Sequence, residues 1–119
     1  MLDVFVANGI LEAYQRKLFP DREEHLRKMA SEIGAVIYAL TPDRESELWS
    51  IAQLVLNASF TEAGSLRFFS EDSEFPDGTP RAIGLRIVEA YLANNPGATV
   101  SSLITVHREE IYEGSNYNP

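Results

Sequence analysis

Apolar positions recur every three to four residues along most of the chain, the spacing of helices with one buried face and not the two-residue alternation of strands. In residues 2–19 the stripe is Val6, Ile10, Ala13, Tyr14 and Leu18, with Gln15, Arg16 and Lys17 on the other side. Pro20 ends this helix, and Asp21 followed by Glu24 is a capping-box pattern that opens a second one. Leu26, Met29, Ala30, Ile33, Val36, Ile37 and Leu40 then form the most regular stripe in the sequence. Thr41-Pro42 supplies a cap and a first-turn proline for a third helix, whose apolar positions Leu48, Ile51, Ala52 and Val55 carry it to about Asn57.

The period is lost over residues 58–78, where Gly64, Pro76 and Gly78 stand among Glu71, Asp72, Glu74 and Asp77 and signal irregular chain with room for a short helix near 62–69. Thr79-Pro80 repeats the cap-and-proline start, and Ile83, Ile87, Val88 and Tyr91 give a buried face that ends near Asn94-Asn95-Pro96-Gly97. Gly84 on that face invites a close helix crossing. Thr99 or Ser101 is placed to cap a short helix through Leu103 and Ile104, and Arg108 to Tyr112 form a last turn before a polar tail, Gly114 to Pro119. The expected fold is all-α: a compact bundle of about five to six helices with one long irregular loop, in a single domain over 1–119.

Composition narrows the function classes. The formal net charge of −8 repels nucleic-acid backbones and anionic lipid, so neither is expected as a partner. With no cysteine there is no disulfide framework, thiolate nucleophile or cysteine zinc site. No apolar stretch approaches the roughly 20 residues that span a bilayer, and Met1-Leu2-Asp3 lacks the basic start of a signal peptide. A cytoplasmic location follows by default, and lapses if the chain is a fragment of an exported protein.

Two stretches carry a resemblance. The run Pro80-Arg81-Ala82-Ile83-Gly84-Leu85-Arg86-Ile87-Val88-Glu89-Ala90-Tyr91-Leu92, with Asn95-Pro96 and the closing Ser115-Asn116-Tyr117-Asn118-Pro119, resembles a family of predicted zinc-dependent proteases of uncharacterised function, which is also similar to the gliding-motility lipoprotein family. At the other end, Val6-Ala7-Asn8-Gly9-Ile10-Leu11-Glu12-Ala13-Tyr14 resembles the family helix that follows the metal-binding helix and carries a Glu-Gly pair. The resemblance implies zinc held by His-Glu-x-x-His, two imidazoles on one helical face and a glutamate that activates water. This chain has no such motif, and the resemblance places it before residue 1. Asn8 stands where the family offers glutamate, and an amide brings no negative charge to a metal. Arg81 and Leu85 stand where the family's tyrosine in the glycine-bearing helix would be.

The remaining candidates for chemistry are sparse. His25 lies among charged residues of a helix face, and His107 with Glu110 supplies two of the three protein ligands a zinc site needs, so a surface or capping role is expected for both. The acids at 71–77 are suited to calcium in type but not in EF-hand spacing, and no Gly-x-Ser-x-Gly elbow occurs. Asn8-Gly9 inside a helix is locally unfavourable, which points to tight packing or to a relic of a site. Trp49, Tyr14, Tyr91, Phe68 and Phe69 are expected in or at the edge of the core. The reading is therefore a noncatalytic, degenerate or truncated domain with no cofactor and no metal, acting by binding a protein or by self-association. Asn8, Arg81 and Tyr91 are the candidate vestigial cleft. The alternatives are part of a metallopeptidase whose His-Glu-x-x-His helix lies on a missing segment or separate chain, and a small-molecule binder between helices.

Overall fold

Why the first helix buries the face it does follows from its glycine. Helix α1 (Leu2–Leu18) turns Phe5, Val6, Gly9, Ile10 and Glu12 inward, an arc that continues the Gly9 position one turn in each direction. A computed structural model describes residues 1–22, 24–25, 40–59 and 78–119 of the chain. Within them lie three further α-helices, α2 (Pro42–Gln53), α3 (Thr79–Asn94) and α4 (Arg108–Ser115), and a 3-10 helix (Ser101–Thr105). No strand occurs among the described residues. The radius of gyration, 14.1 Å, is close to the roughly 13–14 Å of a folded domain of this length.

The seam between α1 and α3 is the centre of the molecule. A Cβ at Gly9 would collide with the Gly84 carbonyl, and one at Gly84 with the Phe5 carbonyl, so the two backbones touch where both side chains are missing. Around this crossing Phe5, Val6, Ile83, Ile87 and Val88 are sealed from solvent, joined by Leu48 and Ala52 from α2, by Leu103 and by Ile111 from α4. Gly114 lies so close to the Tyr91 ring that a Cβ would come within 2.7 Å of it, which draws α4 onto α3.

Helix ends follow the sequence with informative differences. Thr41 Oγ1 accepts the Arg44 amide at 3.3 Å and Pro42 opens α2, as its pattern predicts. At α3 the expected threonine cap gives way: Gly78 is the cap, at φ 86°, and Thr79 is the first helical residue, fully buried. Glycine takes that left-handed turn without strain, which frees Thr79 to go inside. The short helix after Thr99 is 3-10, with Thr99 Oγ1 accepting the Ser102 amide at 3.2 Å. Helix α4 runs three residues beyond the expected single turn, and Asn94 Nδ2 donates to the Gly114 and Ser115 carbonyls at 3.3 and 2.9 Å, satisfying its end. Asn116 then leaves the helix at φ 50°.

The largest correction concerns α1. Tyr14 and Leu18, expected on the buried stripe, are exposed, while Glu12 is buried. The helix carries apolar residues on two opposite faces, and the arc centred on Gly9 is the one that can approach α3 closely. Of the expected second helix, Arg22, Glu24 and His25 are helical, with the His25 amide donating to the Asp21 carbonyl at 2.9 Å. Its apolar stripe from Leu26 to Ile37, and Phe68, Phe69 and the acids at 71–77 of the expected loop, lie outside the described residues, while Leu40, expected at the end of the stripe, is not helical and packs against the core.

Candidate functional site

One turn past the glycine crossing, α1 places Glu12 on the same inward arc, with no exposed surface at all. A carboxylate there must be ionised and paired, or protonated. Three arginines from three positions meet it. Arg16, one turn further on, donates from Nε to Oε1 at 3.3 Å. Arg22, beyond the turn at Phe19, donates from Nε to Oε1 at 3.3 Å and from Nη2 to Oε2 at 3.1 Å, a two-pronged contact. Arg81, in the first turns of α3, sets Nε against Oε2 at 2.6 Å as an ion pair whose alignment does not make a hydrogen bond, and its Nη2 donates to Gln15 Oε1.

Electrostatics decides the protonation state. Burial pushes the Glu12 carboxyl up, but the Arg22 hydrogen bond, the charges of Arg81 and Arg22 and the Arg16 hydrogen bond together outweigh it and hold the group below its ordinary value of 4.5. The arginine side chains stay about a quarter exposed, at 23%, 23% and 27% for Arg16, Arg22 and Arg81, so the cluster has a sealed carboxylate and a wet guanidinium rim.

A second polar-aromatic group fastens the chain's last residues to α2. Tyr117 donates its hydroxyl to Glu45 Oε1 at 2.6 Å, and its ring meets Trp49 edge to face at 4.8 Å between centroids. Arg86 approaches the other Glu45 oxygen at 3.7 Å. Burial, the Glu45 hydrogen bond and the Glu45 charge all raise the Tyr117 pKa above its ordinary 10.0, with Arg86 opposing. The segment expected as a polar tail is thus tied down, and Ser115 Oγ accepts the Tyr117 amide at 3.1 Å.

The residues singled out from sequence stand in different surroundings. Asn8 Nδ2 donates to the Val4 carbonyl of its own helix at 2.7 Å. Arg81 joins the Glu12 cluster. Tyr91 is buried and borders an open recess of about 450 Å³ with Asn95, His107, Glu110 and Glu113. His107 caps α4, its Nδ1 accepting the Glu109 amide at 3.4 Å. Among the described residues no group of three or more His, Asp or Glu side chains is placed to hold a metal ion, and no helix is long and apolar enough to cross a membrane.

Sequence reasoning missed Glu12, Gln15, Arg16 and Arg22. The signal was present in part: Glu12 and Arg16 are an i,i+4 pair, and Glu12 falls beside Phe5, at the edge of the arc that Phe5 and Gly9 define on a helical projection. No pattern tied Arg22 or Arg81 to them.

Among known proteins, residues 35–119 match the family model described as gliding motility protein GldB, which takes in α2, α3, the 3-10 helix and α4 and leaves α1 outside. No curated protein and no solved structure matches the chain.

Proposed function

The chain belongs to the gliding motility protein GldB family, and from that premise we propose that it is a noncatalytic helical scaffold that binds a partner protein through the outer face of α1. The observation that carries this reading is the second apolar stripe of that helix: Leu11, Leu18 and Phe19 are 49%, 54% and 61% exposed, and Tyr14 between them is exposed as well. A helix apolar on two sides is ordinarily covered on both. Two copies each carrying a charge of −8 repel one another, which favours a different protein over self-association as the cover.

The finer part of the proposal is that the scaffold is that of the predicted zinc-dependent proteases without their chemistry. Asn8 at the position of the family's glutamate spends its amide on the Val4 carbonyl, and Glu12, the buried acid of the same helix, is committed to three arginines. A carboxylate held ionised by that many cations is a weak base and is not offered to a substrate.

The test is the double variant Leu11→Glu/Leu18→Glu. It is expected to keep the wild-type unfolding free energy, measured in urea, to within about 0.5 kcal/mol, as exposed substitutions do. A protein that copurifies with the wild type, and binds it directly once purified, is expected to be lost. A stability loss of several kcal/mol would show that the chain's own residues cover the stripe, and a wild-type dimer dissolved by the variant would assign it to a second copy. Either result overturns the partner reading.

A further inference from the structure

We infer that the recess between the end of α3 and helix α4 is a binding site for the cationic end of a basic side chain, arginine or lysine, presented by a partner protein. Tyr91 and Asn95 border it from the α3 side, and Glu109, Glu110 and Glu113 from α4. None of these residues belongs to the apolar stripe of α1, so the two proposals stand or fall separately.

The Tyr91 hydroxyl points to a ligand. The residue is only 8% exposed, and its ring lies against Gly114. Its hydroxyl makes no hydrogen bond within the chain and is not sealed from solvent either, so it belongs to the small part of the residue that reaches the recess. A phenol otherwise buried ordinarily finds a partner for that group. Asn95 donates Nδ2 to the Tyr91 carbonyl at 2.9 Å, which leaves its Oδ1 as a second acceptor beside the hydroxyl.

The carboxylates set the sign of that ligand. The side chains of Glu109, Glu110 and Glu113 form no ion pair and no hydrogen bond among the described residues. Glu109 with Glu113, and Glu110 with Glu113, are i,i+4 and i,i+3 neighbours of like charge, which weakens α4. Glu113 also stands in the last turn, where the helix dipole disfavours an anion and no basic residue offsets it. Arg108, the cation of the same helix, buries its Nη1 without an acceptor and pairs with none of them. Local rules are broken in this way mainly where function compensates, and a bound cation would do so. A metal ion is not the match, because no three of these acids and His107 are placed to hold one. An ammonium or guanidinium presents several N–H donors and can reach acceptors set apart around the walls. The recess is open and holds about 450 Å³, room for a side chain that enters from outside. The net charge of −8 draws a basic partner toward the molecule, and the recess gives its charge a fixed place.

The experiment is a titration of the whole chain at pH 7.5, followed by two-dimensional amide NMR, with N-acetylargininamide and, separately, N-acetyllysinamide, each against sodium chloride at matched ionic strength. Saturable shifts through the millimolar range are expected, centred on the amides of Tyr91, Asn95 and α4, and the tighter probe identifies the cation as guanidinium or ammonium. Tyr91→Phe keeps the ring against Gly114, loses only the hydroxyl and should bind about fivefold more weakly. Glu113→Gln should bind about tenfold more weakly or worse, as expected for losing a charge-assisted hydrogen bond. Glu47→Gln removes the same charge from α2, where Glu47 pairs with Arg44, and should bind as the wild type does. Should Tyr91→Phe fail to fold, Glu113→Gln, at an exposed position, carries the comparison with Glu47→Gln. Shifts that do not saturate into the tens of millimolar, shifts centred elsewhere, or equal weakening by Glu47→Gln overturn the assignment.

Discussion

Two neighbouring stretches of the α1–α3 seam are joined by opposite means. At Gly9 and Gly84 the helices touch because both lack a side chain, and nothing in that contact ionises. One turn on, at Glu12, they are joined by charge: a sealed carboxylate on α1 reaches Arg81 on α3 and draws in Arg16 and Arg22. The first contact fixes the distance between the helices and should be indifferent to pH and salt. The second depends on a protonation state. The contrast shows how one helix face changes from geometric to electrostatic adhesion within four residues, as soon as the side chain is long enough to bridge the gap that glycine closes.

Gly9→Ala should give the largest effect. Its methyl would meet the Gly84 backbone, which cannot pivot away as a side chain can, so the helices must separate at a cost of about 3 kcal/mol. Urea unfolding measures this, and the loss should be the same at pH 7 and pH 4. A pH-dependent loss would mean that the crossing and the ion cluster act as one unit.

Glu12→Gln should come next, at about 2 kcal/mol near neutral pH, toward the lower side of the range for breaking a buried ion pair because the arginines are partly wet. The sign with pH is determined by the lowered pKa. Stability from Glu12 is complete above 4.5 and disappears as pH falls through the still lower folded value. The gap between variant and wild type should therefore close on acidification below 4.5, read from unfolding curves at a series of pH values. A gap that stays constant would refute the ionised assignment.

Smaller effects should mark the periphery. Gly114→Ala meets the Tyr91 ring rather than backbone, and since a ring can yield, about 1 kcal/mol is expected. Tyr117→Phe removes the hydroxyl bond to Glu45 while keeping the ring against Trp49, for roughly 1 kcal/mol. Tryptophan fluorescence should hardly change in the folded variant. A large shift would show that the hydroxyl, and not ring packing, positions Trp49.

Much of the helical framework was legible before any coordinates. The Thr41-Pro42 start, the Asn94 stop and the glycines at 9 and 84 each express a local rule about caps, prolines or missing side chains, and local rules are written in consecutive residues. The site was far less so. Arg81 was noted, but as a replacement for a lost tyrosine, because its partner sits 69 positions earlier in a helix whose apolar pattern pointed two ways.

By itself the sequence determined that this chain is helical, where several of its helices begin and end, and that two glycines sit where a close approach is possible. Only the tertiary structure decided which side of α1 faces inward, and with it that Glu12 is buried while Leu11 and Leu18 are exposed. The reason is physical. Periodicity records that a residue lies on some face, but which of two apolar faces wins depends on the partner surface, and here the backbone contact at Gly9 admits α3 on one side alone.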